Sequence, residues 1–169
     1  MAFIRGTEAN DSLRGTLAQD TILGRGGNDI LIGLDDDDVL SGGSGNDTLF
    51  GENNNDFLSG GPGNDWLQGT RGGSISGEKD RLVGGDGADQ FVLSTQFNIF
   101  YRGSNSFATI RDFNRSEGDK VILKGRASDY KLQQVNGSDV TIRLASNNDL
   151  IGILENSQNF SLSTDIKFV

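Results

Sequence analysis

Aspartate returns at nine-residue intervals in the first part of this chain, always at the same place in a glycine-rich phrase. Asp11, Asp20, Asp29, Asp38, Asp47, Asp56 and Asp65 are evenly spaced, and Asp80 and Asp89 resume the row after a break. A row of carboxylates beside loops that expose their carbonyls offers only oxygen donors. That is the ligand set of a hard cation such as Ca2+, which takes about six to eight oxygens. The chain has no Cys and no His, which removes thiolate and imidazole metal ligands, any disulfide framework and the usual general base. The competing reading is an Asx-turn, in which each Asp only satisfies nearby backbone N–H groups. It leaves the neighbouring glycines without a reason.

The elements that position these carboxylates are repeats of nine residues. In register they read GTEANDSLR from Gly6, then GTLAQDTIL, GRGGNDILI, GLDDDDVLS, GGSGNDTLF, GENNNDFLS, GGPGNDWLQ, a broken eighth copy from Gly69 to Val83, and GGDGADQFV ending at Val92. Gly opens each copy, Asp stands sixth, and Leu, Ile or Phe stands eighth. Such a period fixes the architecture before any helix or strand is assigned. Glycines at positions one, two and four suit a loop that bends through positive φ. Positions seven to nine form a short strand whose middle residue faces inward. One apolar residue per copy closes no core alone, so copies must stack, two to a coil. Leu13, Ile22, Leu31, Leu40, Leu49, Leu58, Leu67, Leu82 and Phe91 then form a narrow interior column. So thin a core, set against the entropy of ordering many glycines, predicts a roll that depends on bound cations to fold.

The phrases GRGGND, GGSGND, GGPGND and GGDGAD resemble the nonapeptide of the RTX (repeats-in-toxin) family over residues 6–92. The resemblance implies an all-β chain: a parallel β-roll, that is, a right-handed β-helix of nonapeptide repeats, followed by a C-terminal β-rich cap over 93–169. It implies several Ca2+ ions held between stacked loops by carboxylates and loop carbonyls. On this chain those are Asp11, Asp29, Asp47, Asp65 and Asp89, with Gly24, Gly26, Gly42, Gly43, Ser44, Gly45, Gly60, Gly61, Pro62, Gly63, Gly85 and Gly87 in the loops. It also implies secretion, often by a type I system with an uncleaved C-terminal signal. That fits a start, MAFIRGTEAN, that lacks the form of a cleavable secretory signal.

Alternate copies share an edge, and the odd edge has the more regular loops. Position four there is Gly27, Gly45, Gly63 and Gly87, against Ala18, Asp36 and Asn54 on the even edge, where the eighth copy carries an insertion at 72–77. Asn and Asp tolerate the left-handed region and Ala does so poorly, so Asp20, Asp38 and Asp56 are the weaker ligand candidates. The run Asp35 to Asp38 reads either as an added site or as a solvated acidic loop. On the odd strands Ile30, Ile32, Thr48, Phe50, Trp66 and Gln68 face outward, and STQFNIFYRG is expected to fold over that stripe.

Beyond the repeats, FATIRDF, DKVILKG, YKLQQ, DVTIRL and DLIGIL read as strands, with an Asn-Gly hairpin in VNGSDV. An open coil end needs such a cap. Asp112 or Asp119 could complete the last ion site beside Asp89, or both could be turn residues. The terminal STDIKFV reads as an export signal or as a closing strand.

The first 92 residues hold 16 acidic and 6 basic side chains, a net charge of −10, and the remainder holds 8 and 9. An acidic repeat face excludes a nucleic-acid partner, and no run approaches a membrane span. No catalytic constellation is visible, so the expectation is a non-enzymatic, monomeric, extracellular Ca2+ binder. The alternative is a Ca2+-dependent module for an anionic polysaccharide, as RTX modules of some alginate-modifying enzymes imply, the Lys and Arg residues of the cap then meeting the polymer.

Overall fold

A computed structural model describes residues 1–70, 77–94, 101, 106–157 and 160–169. The strands of the repeat region are β1 (Phe3–Arg5), β2 (Ser12–Arg14), β3 (Thr21–Gly26), β4 (Ile30–Leu34), β5 (Val39–Ser44), β6 (Thr48–Glu52), β7 (Phe57–Ser59), β8 (Trp66–Thr70), β9 (Lys79–Val83) and β10 (Gln90–Val92). After them come β11 (Phe107–Ile110), β12 (Lys120–Leu123), a short 3-10 turn (Ala127–Asp129), β13 (Tyr130–Val135), β14 (Asp139–Leu144), β15 (Leu150–Leu154) and β16 (Ile166–Phe168).

These strands form two sheets, and consecutive repeats alternate between them. One sheet runs β1-β3-β5-β7-β9-β11-β15-β14-β13 and the other β16-β12-β10-β8-β6-β4-β2. Every pairing within the repeats is parallel, and Leu13, Leu31, Leu49, Leu67 and Phe91 lie in one register row while Ile22, Leu40, Leu58 and Leu82 lie in the other. This is the parallel β-roll expected, with odd and even copies on opposite sheets. The interior column is fully buried from Ile22 to Phe91, and half-buried Ile4 and Leu13 close its N-terminal end.

The segment after the repeats joins the same two sheets: β11 pairs parallel with β9, and β12 with β10. Val121, Ile122, Leu123, Ala108 and Ile110 extend the same core. Only β13, β14 and β15 turn antiparallel, and the turn joining β13 to β14 holds Asn136 at φ 52° and Gly137 at φ 78°, as the Asn-Gly signal predicts. The terminal IKF lies beside β12 as an edge strand.

Of the outward odd-strand stripe, Ile30 is 44% exposed, while Trp66 packs against the core. Phe97, Ile99 and Phe100, expected to cover it, lie outside the described residues. Tyr101 ends elsewhere: its hydroxyl reaches Asp80, on the even edge.

Candidate metal centre along the coil edges

Each interior Asp except Asp80 accepts one stacked neighbour's N–H with one oxygen and leaves the other oxygen unpaired. Oδ1 of Asp29, Asp47 and Asp65 accepts the N–H of the Asp 18 residues earlier, each at 2.7 Å, and Asp89 accepts from Asp65 at 2.9 Å. The even edge repeats this with Asp38, Asp56 and Asp80 accepting from Asp20, Asp38 and Asp56. Oδ2 of Asp29, Asp38, Asp47, Asp56, Asp65 and Asp89 is buried without a hydrogen-bond partner. A buried carboxylate oxygen with no donor is costly, and a cation beside such a row would offset that cost. The Asx-turn alternative accounts for Oδ1 in part, since its donors are backbone N–H groups from the adjacent coil, but not for Oδ2.

The glycines act in two ways, and only one matches the expectation. Positions two and four do take positive φ, as at Gly43 (105°) and Gly45 (128°). Position one does not. There a Cβ has no room: on Gly42 it would lie 2.2 Å from Asp47 Oδ2. The carbonyls of positions two and four press on the next coil, so that a Cβ on Gly61 would lie 2.1 Å from the Gly43 oxygen and one on Gly63 1.9 Å from the Gly45 oxygen. Carbonyls of positions one and three take ladder hydrogen bonds, with Gly43 donating to Gly60 and Gly45 to Pro62, and Gly61 to Gly84 and Gly63 to Asp86. Gly26 donates to Thr7, and Ser44 pairs with it in the sheet. Gly24 stands, like Gly42 and Gly60, with its α-carbon against a carboxylate, and Gly85 and Gly87 meet the Gly61 and Gly63 carbonyls.

The even loops adopt the same bends with other residues. Leu34 (102°), Asp36 (77°), Glu52 (86°) and Asn54 (79°) all occupy positive φ, as does Arg25 (89°) on the odd edge. Asp38 and Asp56 therefore stand in loops of the same shape as Asp47. Asp20 and Asp11 differ: Thr16 and Thr7 donate backbone and hydroxyl hydrogens to their Oδ2 atoms at 2.6–2.9 Å. At the other end Asp119 continues the odd row by accepting the Asp89 N–H at 2.9 Å, but its Oδ2 takes the Asn114 N–H at 2.8 Å. Both oxygens of Asp112 accept from Gly84 and Gly85.

Burial, and then the mutual charge of neighbouring carboxylates, raises these groups. Asp38 is pushed up to about 6, Asp65 and Asp89 to about 7, and Asp56 to about 9. Among the described residues no three carboxylates converge on one point, so an ion here would need carboxylates from stacked loops together with backbone carbonyls. The residues fit that requirement.

Features that the sequence reading did not single out also shape the site. Position-five side chains form a second ladder in the opposite sense, Asn28, Asn46, Asn64 and Ala88 donating N–H to the Oδ1 of Asn10, Asn28, Asn46 and Asn64. The recurrence of Asn before Asp was the available signal. Tyr101 on Asp80, and buried Glu78, had no such signal.

A parallel β-roll with oxygen-only rows along its edges defines a hard-cation-binding roll. The repeat region belongs to the RTX family: the profile of the RTX calcium-binding nonapeptide repeat (4 copies) matches residues 5–40, 32–67 and 76–95. Solved structures similar to it include the AlgE6R3 subunit of the Azotobacter vinelandii mannuronan C5-epimerase, at 24% identity and a TM-score of 0.42 over 96% of this chain and 80% of that one. Another is the extracellular lipase LipA from Serratia marcescens, at 18% identity and a TM-score of 0.36 over 99% of this chain and 40% of that one. A search of curated proteins found no match.

Proposed function

We propose that this chain is an extracellular, non-catalytic calcium module whose roll folds as it takes up Ca2+ along its edges. The observation that carries the reading is the row of buried, unpaired Oδ2 atoms, at Asp29, Asp47, Asp65 and Asp89 on one edge and at Asp38 and Asp56 on the other. The odd row is the longer, and it is the principal binding edge. Chemically Ca2+ supplies positive charge between stacked loops. Asp29, Asp47, Asp65 and Asp89 would hold it with the loop carbonyls, each interior carboxylate serving two neighbouring sites. Because an unfolded chain has no such cages, binding free energy becomes folding free energy. Secretion fits this arrangement, since a chain kept unfolded at low cytosolic Ca2+ would fold where Ca2+ is abundant.

Far-UV circular dichroism during a Ca2+ titration tests the reading. At pH 8 the expected result is a largely disordered spectrum in excess chelator that becomes β-rich as Ca2+ is added and reverts on chelation. A spectrum in chelator already equal to that of the Ca2+ form would overturn it.

A further inference from the structure

The even edge changes character at the broken eighth copy. Glu78, just past the insertion, is only 5% exposed, a position that ionised glutamate rarely takes without a partner. Its carboxylate faces the backbone N–H of Asn54 and the hydroxyl of Thr70, with the N–H of the next residue, Lys79, donating to Asn55 Oδ1 at 2.9 Å. In the regular odd loops the matching N–H groups, of Gly45 and Gly63, donate instead to the carbonyls of Pro62 and Asp86 in the next coil. A side-chain carboxylate thus replaces a loop carbonyl. The other oxygen, Oε1, is buried with no hydrogen-bond partner.

A second unpaired oxygen lies on the same edge. Asp56, 2% exposed, leaves Oδ2 without a donor while its N–H goes to Asp80 Oδ1 at 2.9 Å. The other oxygen of Asp80 takes the Tyr101 hydroxyl at 2.5 Å, and Tyr101 is itself only 2% exposed. The basic residues flanking Asp80 point elsewhere, Lys79 over the Phe107 ring and Arg81 over the Phe57 ring. Three carboxylates are therefore buried within electrostatic reach of one another, and the neighbouring side chains of Lys79 and Arg81 do not neutralise them. Leaving such charges uncompensated is strongly unfavourable.

We propose that Asp56 and Glu78 are ligands of one further divalent cation, at a site distinct from the repeated ones because a glutamate carboxylate stands in for a loop carbonyl, and that Tyr101 closes it by holding Asp80. This inference rests on the reading of the edges as Ca2+ sites.

The test counts bound ions by native mass spectrometry at saturating Ca2+, with calorimetry for affinity and circular dichroism for the fold. Glu78→Gln, which keeps shape and a hydrogen-bond acceptor, should retain the β-rich spectrum and hold one Ca2+ fewer than the wild type. An unchanged count with unchanged affinities overturns the proposal. Should that variant not become β-rich, Glu78→Asp decides, because it keeps the charge but withdraws it. One site weakened at least tenfold is then expected, and wild-type affinity throughout refutes the assignment. A wild-type chain that binds no Ca2+ instead sinks the broader edge reading.

Discussion

At the first position of every copy a side chain is missing for want of space rather than for backbone freedom. The distinction is testable at Gly42, whose Cβ would lie 2.2 Å from Asp47 Oδ2 and 2.7 Å from its Cγ. Gly42→Ala has to push that carboxylate out of its row. Overpacking of this kind costs about 1–3 kcal/mol, so urea unfolding in saturating Ca2+ should show a clear loss of stability, together with weaker Ca2+ binding. A wild-type midpoint and affinity would contradict the account. The sequence showed that glycine is required here, but one explanation was given to three positions. Separating them needed the folded loop, which sets position one against the Asp of its own copy and positions two and four against carbonyls of the neighbouring coil. Leu34 at φ 102° was equally hidden: such a conformation costs a non-glycine residue about 1–3 kcal/mol, and stacking between regular coils imposes it against local preference.

At the scale of the edges, the alternation of copies and the inward column were legible because a period of nine leaves one strand and one turn per copy. The ends of the carboxylate rows were not. Thr7 and Thr16 fill the first Oδ2 positions with hydroxyl and N–H donors. The Asn114 N–H fills that of Asp119, and beyond it Asp165 is held by the Arg115 guanidinium, with Nε at 2.7 Å from Oδ1. The roll thus provides its own donors at its ends, whereas the interior Oδ2 atoms of Asp29, Asp38, Asp47, Asp56, Asp65 and Asp89 have none. Position in the row then sets the effect of a substitution. Asp47 lies between Asp29 and Asp65, both with unpaired oxygens, whereas Asp38 has Asp20, already satisfied by Thr16, on one side. Asp47→Ala should weaken two sites and Asp38→Ala one. Calorimetric titrations showing equal losses for the two variants would refute the shared-ligand scheme.

For the whole molecule, the carboxylate rows make the stability of the fold depend on protons and, on the proposed reading, on Ca2+ as well. An unfolded aspartate titrates near 3.9, whereas in the Ca2+-free fold burial raises Asp38 to about 6, Asp65 and Asp89 to about 7 and Asp56 to about 9. A folded-state value above the unfolded one means that the fold binds more protons than the open chain. The stability these groups contribute is fully present below about 3.9, and it is lost as pH rises through about 6 to 9. On the proposed reading, protons and Ca2+ neutralise the same rows, one at low pH and the other at high. Without Ca2+, the roll should be most populated in acid and should lose β-structure as pH rises through about 6 to 9. With saturating Ca2+ it should stay folded across that range, and binding to the acidic form should release protons. Circular dichroism in excess chelator at pH 5 and pH 8, beside Ca2+-loaded samples, measures both effects. A chelated chain equally disordered at the two pH values would show that burial of the carboxylates does not govern folding.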